Sequence, residues 1–210
     1  MQMKRNVQYG AGLCGPADWE NYDSSPMILL QRTPVVRLLP MVKRGALYPR
    51  TVRFGDVLRG LPVATGSADN VYCSHVLEHF TQADCRRVLR ETRRMLRPGG
   101  TFRGVMPDLR RICADYVRSA AGDAGAAARF MNDSGLGLAD SPRGLNWVRH
   151  TFFSRSIHFW LWDYAAIESE LKAAGFNQVR PASFRDSDVA DFISVEDSHR
   201  WDGALGFEAR

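Results

Sequence analysis

Several things are missing from this sequence. No apolar run approaches the roughly 20 residues that a bilayer span needs, so no transmembrane helix is expected. The opening residues, Met1-Gln-Met-Lys-Arg-Asn, lead into a strand-like segment without the apolar core of a secretory leader, and the expected location is cytoplasmic. Internal repeats and low-complexity tracts are absent, which argues against a fibrous or disordered chain. Cysteine is scarce: Cys14, Cys73, Cys85 and Cys113 form no CxxC pair and have no histidine at zinc-finger spacing. Reduced structural thiols and no metal site are therefore expected. Acidic residues are outnumbered, 23 against 28 Lys and Arg, and a net charge of +5 could in principle mark a nucleic acid or an anionic cofactor.

Much of the basic excess lies in one stretch. Arg86, Arg87, Arg90, Arg93, Arg94 and Arg97 share one side of a helical pattern whose other side is Cys85, Val88, Leu89, Thr92, Met95 and Leu96. This reads as a solvated helix face. Aromatic residues do not interleave with it, as a single-strand binding platform would require, and that argues against a nucleic-acid partner.

At 210 residues the chain can bury one good core, and a single domain spanning residues 1–210 is expected. Short apolar runs ending in Gly, Asp or Ser alternate with segments of helical period, the sequence form of βαβ units. The fold class expected is α/β, a doubly wound and mostly parallel sheet. Strands are expected at residues 6–10, 19–23, 51–54, 69–73 and 101–106. Residues 27–40 are apolar but interrupted by Pro34, which should break or kink a helix. The arginine helix is expected to stop at Arg97-Pro-Gly-Gly100, and a helical pattern covers residues 108–130, with Leu109, Ile112, Cys113, Tyr116 and Val117 on one side. Residues 134–160 read largely as an irregular covering segment. An amphipathic helix at 164–174 is stopped by Gly175, and residues 178–184 and 203–208 are candidate last strands, returning as an antiparallel pair at one edge.

In open parallel sheets a ligand binds at the carboxyl ends of the strands, where strand order reverses. The residues there are Gly10-Ala11-Gly12, Asp23, Asp56, Ser74-His75 and Asp108. Glycines after a first strand let backbone approach a ligand, and an acid ending the next strand can accept both hydroxyl hydrogens of a ribose. Asp56 could take an adenine amino group. The interval from Gly12 to Asp23 leaves little room for a crossover helix, and a dinucleotide fingerprint places its acid about 20 residues on, so a nicotinamide dehydrogenase is disfavoured.

Two blocks carry a family resemblance. Leu61-Pro-Val-Ala followed by turn residues, Ser67-Ala-Asp and Ser74-His-Val-Leu-Glu-His79, and then Arg94-Met-Leu-Arg-Pro-Gly-Gly100 with Pro107-Asp-Leu109, resemble class I S-adenosylmethionine-dependent methyltransferases. Asp18-Trp19-Glu-Asn21-Tyr-Asp23 and Ala174-Gly-Phe176 resemble the small predicted members associated with sugar and polysaccharide pathways. The first block departs from the family, reading Tyr-Gly-Ala-Gly with no acid before it.

The resemblance implies S-adenosyl-L-methionine lying across Tyr9, Gly10, Ala11 and Gly12, with ribose on Asp23 and adenine near Asp56, Val57 and Leu58. Ser74 and His75 would flank the methionine part. A methyl group would pass to a small-molecule or carbohydrate-linked acceptor through nitrogen, oxygen or carbon. His75, Glu78 and His79 are the candidate bases, with positioning of the helix start as the other reading for Glu78 and His79. Asp108 is either a further catalytic group or an N-cap. His150, His158, Trp160, Trp162 and Asp163 read as a packed lid or an acceptor-pocket wall, and His199, Trp201 and Asp202 as a turn. The alternative function is a catalytically inactive binding or interaction module that keeps the fold.

Overall fold

A computed structural model describes residues 4–33, 47–137 and 157–210. Seven strands form one sheet: β1 (Asn6–Tyr9), β2 (Trp19–Asp23), β3 (Val52–Phe54), β4 (Ala68–Ser74), β5 (Leu96–Pro107), β6 (Val179–Ala182) and β7 (Ala204–Ala209), in the order β3-β2-β1-β4-β5-β7-β6. Neighbours from β3 to β5 run parallel, and β7 lies antiparallel between β5 and β6. The architecture is thus the expected doubly wound α/β sheet with an antiparallel edge. Strand order reverses between β1 and β4, which places a ligand crevice above their carboxyl ends.

Alternation along each strand gives the sheet two unlike faces. One face is apolar: Val7, Tyr9, Val71, Cys73, Phe102 and Phe207 are buried there against the helices α2 (Gln82–Met95) and α5 (Tyr164–Ala173). Thr81 caps α2 by accepting a hydrogen bond from the Asp84 amide, and Cys85, Val88, Leu89, Thr92 and Met95 form its buried stripe. On its outer side Arg86 pairs with Glu170 of α5 at 2.7 Å and Arg94 with Glu91 at 2.7 Å, while Arg97, already in β5, pairs with Asp69 of β4 at 2.6 Å. The basic stripe is therefore a hydrated face whose arginines pair with neighbouring acids.

The other face is polar, with Asn6, Gln8, Asn70, Thr101, Arg103 and Glu208 buried beside Trp19, Tyr72 and Val105. Residues 10–18 cross from β1 to the parallel β2 without a helix, fewer than the roughly dozen residues such a connection normally takes. Strands of four and five residues make this crossing possible, and Asn21 fastens the loop by donating to the Pro16 and Trp19 carbonyls, each at 2.9 Å. Residues 183–203, between β6 and β7, fold over part of this face. They carry a short 3-10 turn (Ala190–Ser194) and α6 (Ser198–Trp201), whose Phe192 and Trp201 pack on Trp19, Tyr72 and Val105.

Arg103 fixes this cover. Its fully buried guanidinium meets Glu196 at 2.5 Å, Asp186 at 2.9 Å and Glu208 at 3.3 Å, and donates to the Ser183 carbonyl at 2.6 Å. The Trp201 ring lies 4.5 Å away, within cation–π range.

One boundary agrees with expectation and two differ. In residues 27–40 a helix α1 (Met27–Arg32) forms and ends before Pro34, with Thr33 extended; residues 34–46 lie outside the described residues. The arginine helix stops at Met95 rather than Arg97, and the Pro-Gly-Gly run instead opens β5, where the register against β4 shifts between Ala68 and Asn70. The single helical pattern of residues 108–130 is two helices, α3 (Leu109–Ala120) and α4 (Ala126–Asp133), because the Asp123 carboxylate takes the Gly125 amide and turns the chain. Most of the expected covering segment, residues 138–156, lies outside the described residues.

Replacing Arg103 with Met leaves Glu196 buried without its cation, while Glu208 keeps Arg180 at 3.2 Å. The variant is expected to lose about 3–5 kcal/mol of stability in urea unfolding, as when one partner of a buried pair is removed. A loss below 1 kcal/mol would show that the cover does not depend on this contact.

Candidate functional site

The tips of β1, β2 and β3 are tied together by backbone. The Ala11 amide donates to the Tyr22 carbonyl at 3.1 Å, and the Gly55 amide to the Asp23 carbonyl at 3.0 Å. Gly10 and Gly12 both have left-handed backbone, φ +65° and +54°, for different reasons. A Cβ on Gly10 would stand 2.2 Å from a methyl of Val76, whereas one on Gly12 would meet nothing within 4 Å. Gly10 is thus required by packing, and Gly12 faces open space. Asp23 accepts the Gly12 amide at 2.9 Å and the Ser25 amide at 2.8 Å, one on each carboxylate oxygen. Asp56 accepts the Leu58 amide at 3.0 Å and caps the turn Val57–Arg59, with Val57 buried and Leu58 packed against the core. The expected glycines and aspartates are therefore brought to one edge.

Tyr9 is placed differently from the expectation. Its ring is buried in the apolar core with the hydroxyl 3.1 Å from that of Thr92, and burial pushes its phenol well up. The parity of β1 turns Tyr9 away from the crevice, so only its backbone reaches it.

A cavity of about 450 Å³ lies beside the glycine loop, bounded by Gln8, residues 10–14, Ser74, residues 194–197 and Arg200. That volume is within the range of small-molecule sites. Gln8 Oε1 and Ser74 Oγ are buried there with no hydrogen-bond partner in the protein. Arg200, on α6, reaches the Ser74 carbonyl at 3.4 Å. Sequence reasoning missed Gln8, Cys14 and the whole wall from residues 194–200, because the latter comes from a segment far along the chain. The available signal was the Asp197-Ser198 helix cap, in which Asp197 accepts the His199 amide at 3.0 Å; what read as a turn around His199, Trp201 and Asp202 is a short helix.

Next to this cavity the chain after β4 gathers charged groups. His75 has an unusual left-handed φ of +52°, and its own amide donates to the Val105 carbonyl at 2.8 Å. Its Nε2 lies 2.9 Å from the Arg200 carbonyl and its Nδ1 3.3 Å from Glu78 Oε1. Burial pulls its pKa down, but Glu78 and the Arg200 carbonyl outweigh that and hold it above the ordinary histidine value. The Arg200 carbonyl only accepts, so Nε2 carries a proton and is not free to take one from a substrate in this conformation. Glu78 is fully buried, and neither of its oxygens receives a well-aligned hydrogen bond. His79 places Nδ1 3.1 Å from the Ile157 carbonyl, and burial holds its pKa below the usual value.

Asp108 takes the capping role, accepting the Arg110 and Arg111 amides at 2.9 and 3.3 Å. Of the second expected cluster, His150 lies outside the described residues, Trp162 is buried, Asp163 caps α5 through the Ala166 amide, and His158 turns toward Glu78.

Residues 39–103 match the methyltransferase-domain family. No curated protein matches the chain. Among solved structures, a chain of the Haloferax volcanii complex between the Trm112 methyltransferase activator and a candidate methyltransferase is 16% identical, with a TM-score of 0.52 over 99% of this chain and 82% of that one. A structure described as a candidate O-methyltransferase from Nostoc punctiforme is 15% identical, with a TM-score of 0.50 over all of this chain and 52% of its own. The CMeT domain of the citrinin polyketide synthase is 13% identical, with a TM-score of 0.50 over 98% of this chain and 46% of its own. At these identities the likeness is one of fold, and the chain spans about half the length of the latter two. Among the described residues no helix is long and apolar enough to cross a membrane.

The two glycines give a direct prediction. Gly12→Ala is expected to cost only the left-handed penalty of about 1–2 kcal/mol, while Gly10→Ala adds the clash with Val76 and should cost clearly more in denaturant unfolding. Equal losses at the two positions would contradict the placement of the loop.

Proposed function

From a chain with the class I methyltransferase fold and a methyltransferase-domain match over residues 39–103, we propose that the protein binds S-adenosylmethionine and methylates a small or carbohydrate-linked acceptor. The observation that carries the reading is the cavity under the glycine loop, open at Gly12 and presenting the unpartnered Gln8 Oε1 and Ser74 Oγ. The chemistry of its walls suits an amino-acid group: Arg200 offers a guanidinium to a carboxylate, and Gln8 and Ser74 offer oxygens to an ammonium.

In this reading the methionine part lies in the cavity, with its methyl end toward Ser74 and His75. The ribose lies on Asp23. Each Asp23 oxygen takes one amide hydrogen and keeps a second acceptor position for a ribose hydroxyl. The adenine lies near Asp56, Val57 and Leu58. When bound, S-adenosylmethionine would supply a methyl carbon on a sulfonium, and an acceptor lone pair would attack that carbon in line as the carbon–sulfur bond breaks and S-adenosylhomocysteine leaves. What the chain must do is align the two atoms at about 3–3.5 Å and exclude water. His75, held through Nε2 by the carbonyl of Arg200 in the cavity wall, then has a positioning role rather than a proton-transfer one. The carbohydrate-linked acceptor class rests on the resemblance of the Asp18-to-Asp23 and Ala174-to-Phe176 stretches.

A second reading is a module that binds the cofactor without transfer. Gln8, standing where no acid precedes the glycine block, favours it. Release of S-adenosylhomocysteine in the presence of acceptors separates the two.

The test is ligand-linked stability. S-adenosylmethionine and S-adenosylhomocysteine at 100 times their Kd should each add about 2.7 kcal/mol, and NADH nothing. Asp23→Ala should remove the response, and Arg200→Ala should weaken binding at least about tenfold, the loss of one charge-assisted contact. An unchanged response in Asp23→Ala would take that residue out of the site.

A further inference from the structure

We propose that Glu78, His79 and His158 form a binding site for one divalent transition-metal ion of the zinc class, beside the cofactor cavity. The inference is independent of the methyl-transfer reading. One ligand-capable atom from each of the three side chains lies within 4.8 Å of the others. Glu78 is fully buried, and the nearest charge-bearing groups given to it among the described residues are histidines, His75 Nδ1 at 3.3 Å and His158 Nε2 at 4.0 Å. Neither oxygen of this buried carboxylate receives a hydrogen bond within the protein, and a bound cation would offset the burial cost of both at once.

The histidines are oriented as metal ligands are. His79 Nδ1 lies 3.1 Å from the Ile157 carbonyl, and His158 Nδ1 lies 2.8 Å from the Ser134 carbonyl. A carbonyl oxygen only accepts, so each Nδ1 carries the proton and each Nε2 is left with its lone pair. Backbone carbonyls fixing the tautomer of ligating histidines are a recurrent outer-shell device. The rings stand edge to face with centroids 4.9 Å apart.

Ligands at about 2.0–2.1 Å around a tetrahedral zinc stand roughly 3.3 Å from one another. With 4.0 Å between His158 Nε2 and Glu78 Oε1 and all three atoms within 4.8 Å, the side chains would have to draw together on binding to reach that separation. Two imidazoles and a carboxylate suit zinc and its neighbours in the first transition row rather than magnesium or calcium. His75, 3.3 Å from the same carboxylate oxygen, would orient Glu78 from behind.

The ion would fasten two distant pieces of chain. The Phe159 and Trp160 amides already donate to the Glu78 carbonyl at 2.8 and 3.2 Å, and the ion would join their neighbour His158 to the turn Leu77–His79. His158 is too far along the chain for any ligand-spacing motif to reveal the set.

The experiment is a titration of the full chain, first stripped with a chelator, by Co²⁺ and then Zn²⁺. The expected result is one Co²⁺ per chain with visible d–d bands, displacement by Zn²⁺, and a higher unfolding midpoint with Zn²⁺. His158→Ala and Glu78→Gln should each lower Zn²⁺ affinity by at least about 100-fold, the upper end of what an outer-shell change costs. His199→Ala, an exposed histidine on α6, should leave it unchanged. Absence of stoichiometric Co²⁺ binding to the wild-type chain overturns the proposal, as does binding undiminished in Glu78→Gln, which would mean adventitious sites only. Should His158→Ala fail to fold, the wild-type titration and the isosteric Glu78→Gln still decide. Because no readout uses S-adenosylmethionine, failure here leaves the methyltransferase reading standing, and its failure leaves this one standing.

Discussion

A buried arginine that must be neutralised organises the polar side of this sheet. The connection from β1 to β2 has no helix, so the face carrying Asn6, Gln8 and Arg103 must be covered by chain from elsewhere. Arg103 recruits that chain by drawing in Asp186 and Glu196 from residues 183–203, together with Glu208 of β7. Such a network is a weak source of net stability but a strong source of specificity, since any other placement of the segment leaves charges buried and alone. With the segment fixed, Phe192 and Trp201 fill the apolar part of the face, and residues 194–200 become a wall against the glycine loop. The cavity follows from the missing helix and its replacement.

The same construction links the two candidate sites. Through its Nε2, His75 touches the Arg200 carbonyl on the cavity side, and through its Nδ1 it touches Glu78 on the other. A left-handed φ at a residue other than glycine is the cost of facing both ways, and the amide bond to Val105 holds it there. His75 therefore stands between the cavity wall and the Glu78 cluster.

The sequence made some of this legible and concealed the rest for physical reasons. Strand and helix periods are local, so β1, β2, β4 and the buried stripe of α2 could be read from short windows. The short Gly12-to-Asp23 interval also announced that no crossover helix would fit there. Boundaries set by register escaped: Arg97-Pro-Gly-Gly100 carries every signal of a helix stop, yet pairing with β4 makes it the bulged start of β5. The direction of the Tyr9 ring depends on a parity that a resemblance does not supply. Gln8 and Arg200 meet only because Arg103 closes the cover, a contact between residues far apart in sequence. The approach of His158 to Glu78 was hidden likewise, since it too joins residues far apart in sequence.

Everything said of function depends on the crevice between the glycine loop and the cover being where the amino-acid end of a sulfonium nucleoside rests. The most direct test is a crystal structure of the protein with S-adenosylhomocysteine. The expected complex has its amino and carboxylate groups between residues 10–14 and Arg200, with ribose hydroxyls within hydrogen-bond reach of Asp23. A ligand lodged elsewhere on the molecule, or a ribose remote from Asp23, would contradict it.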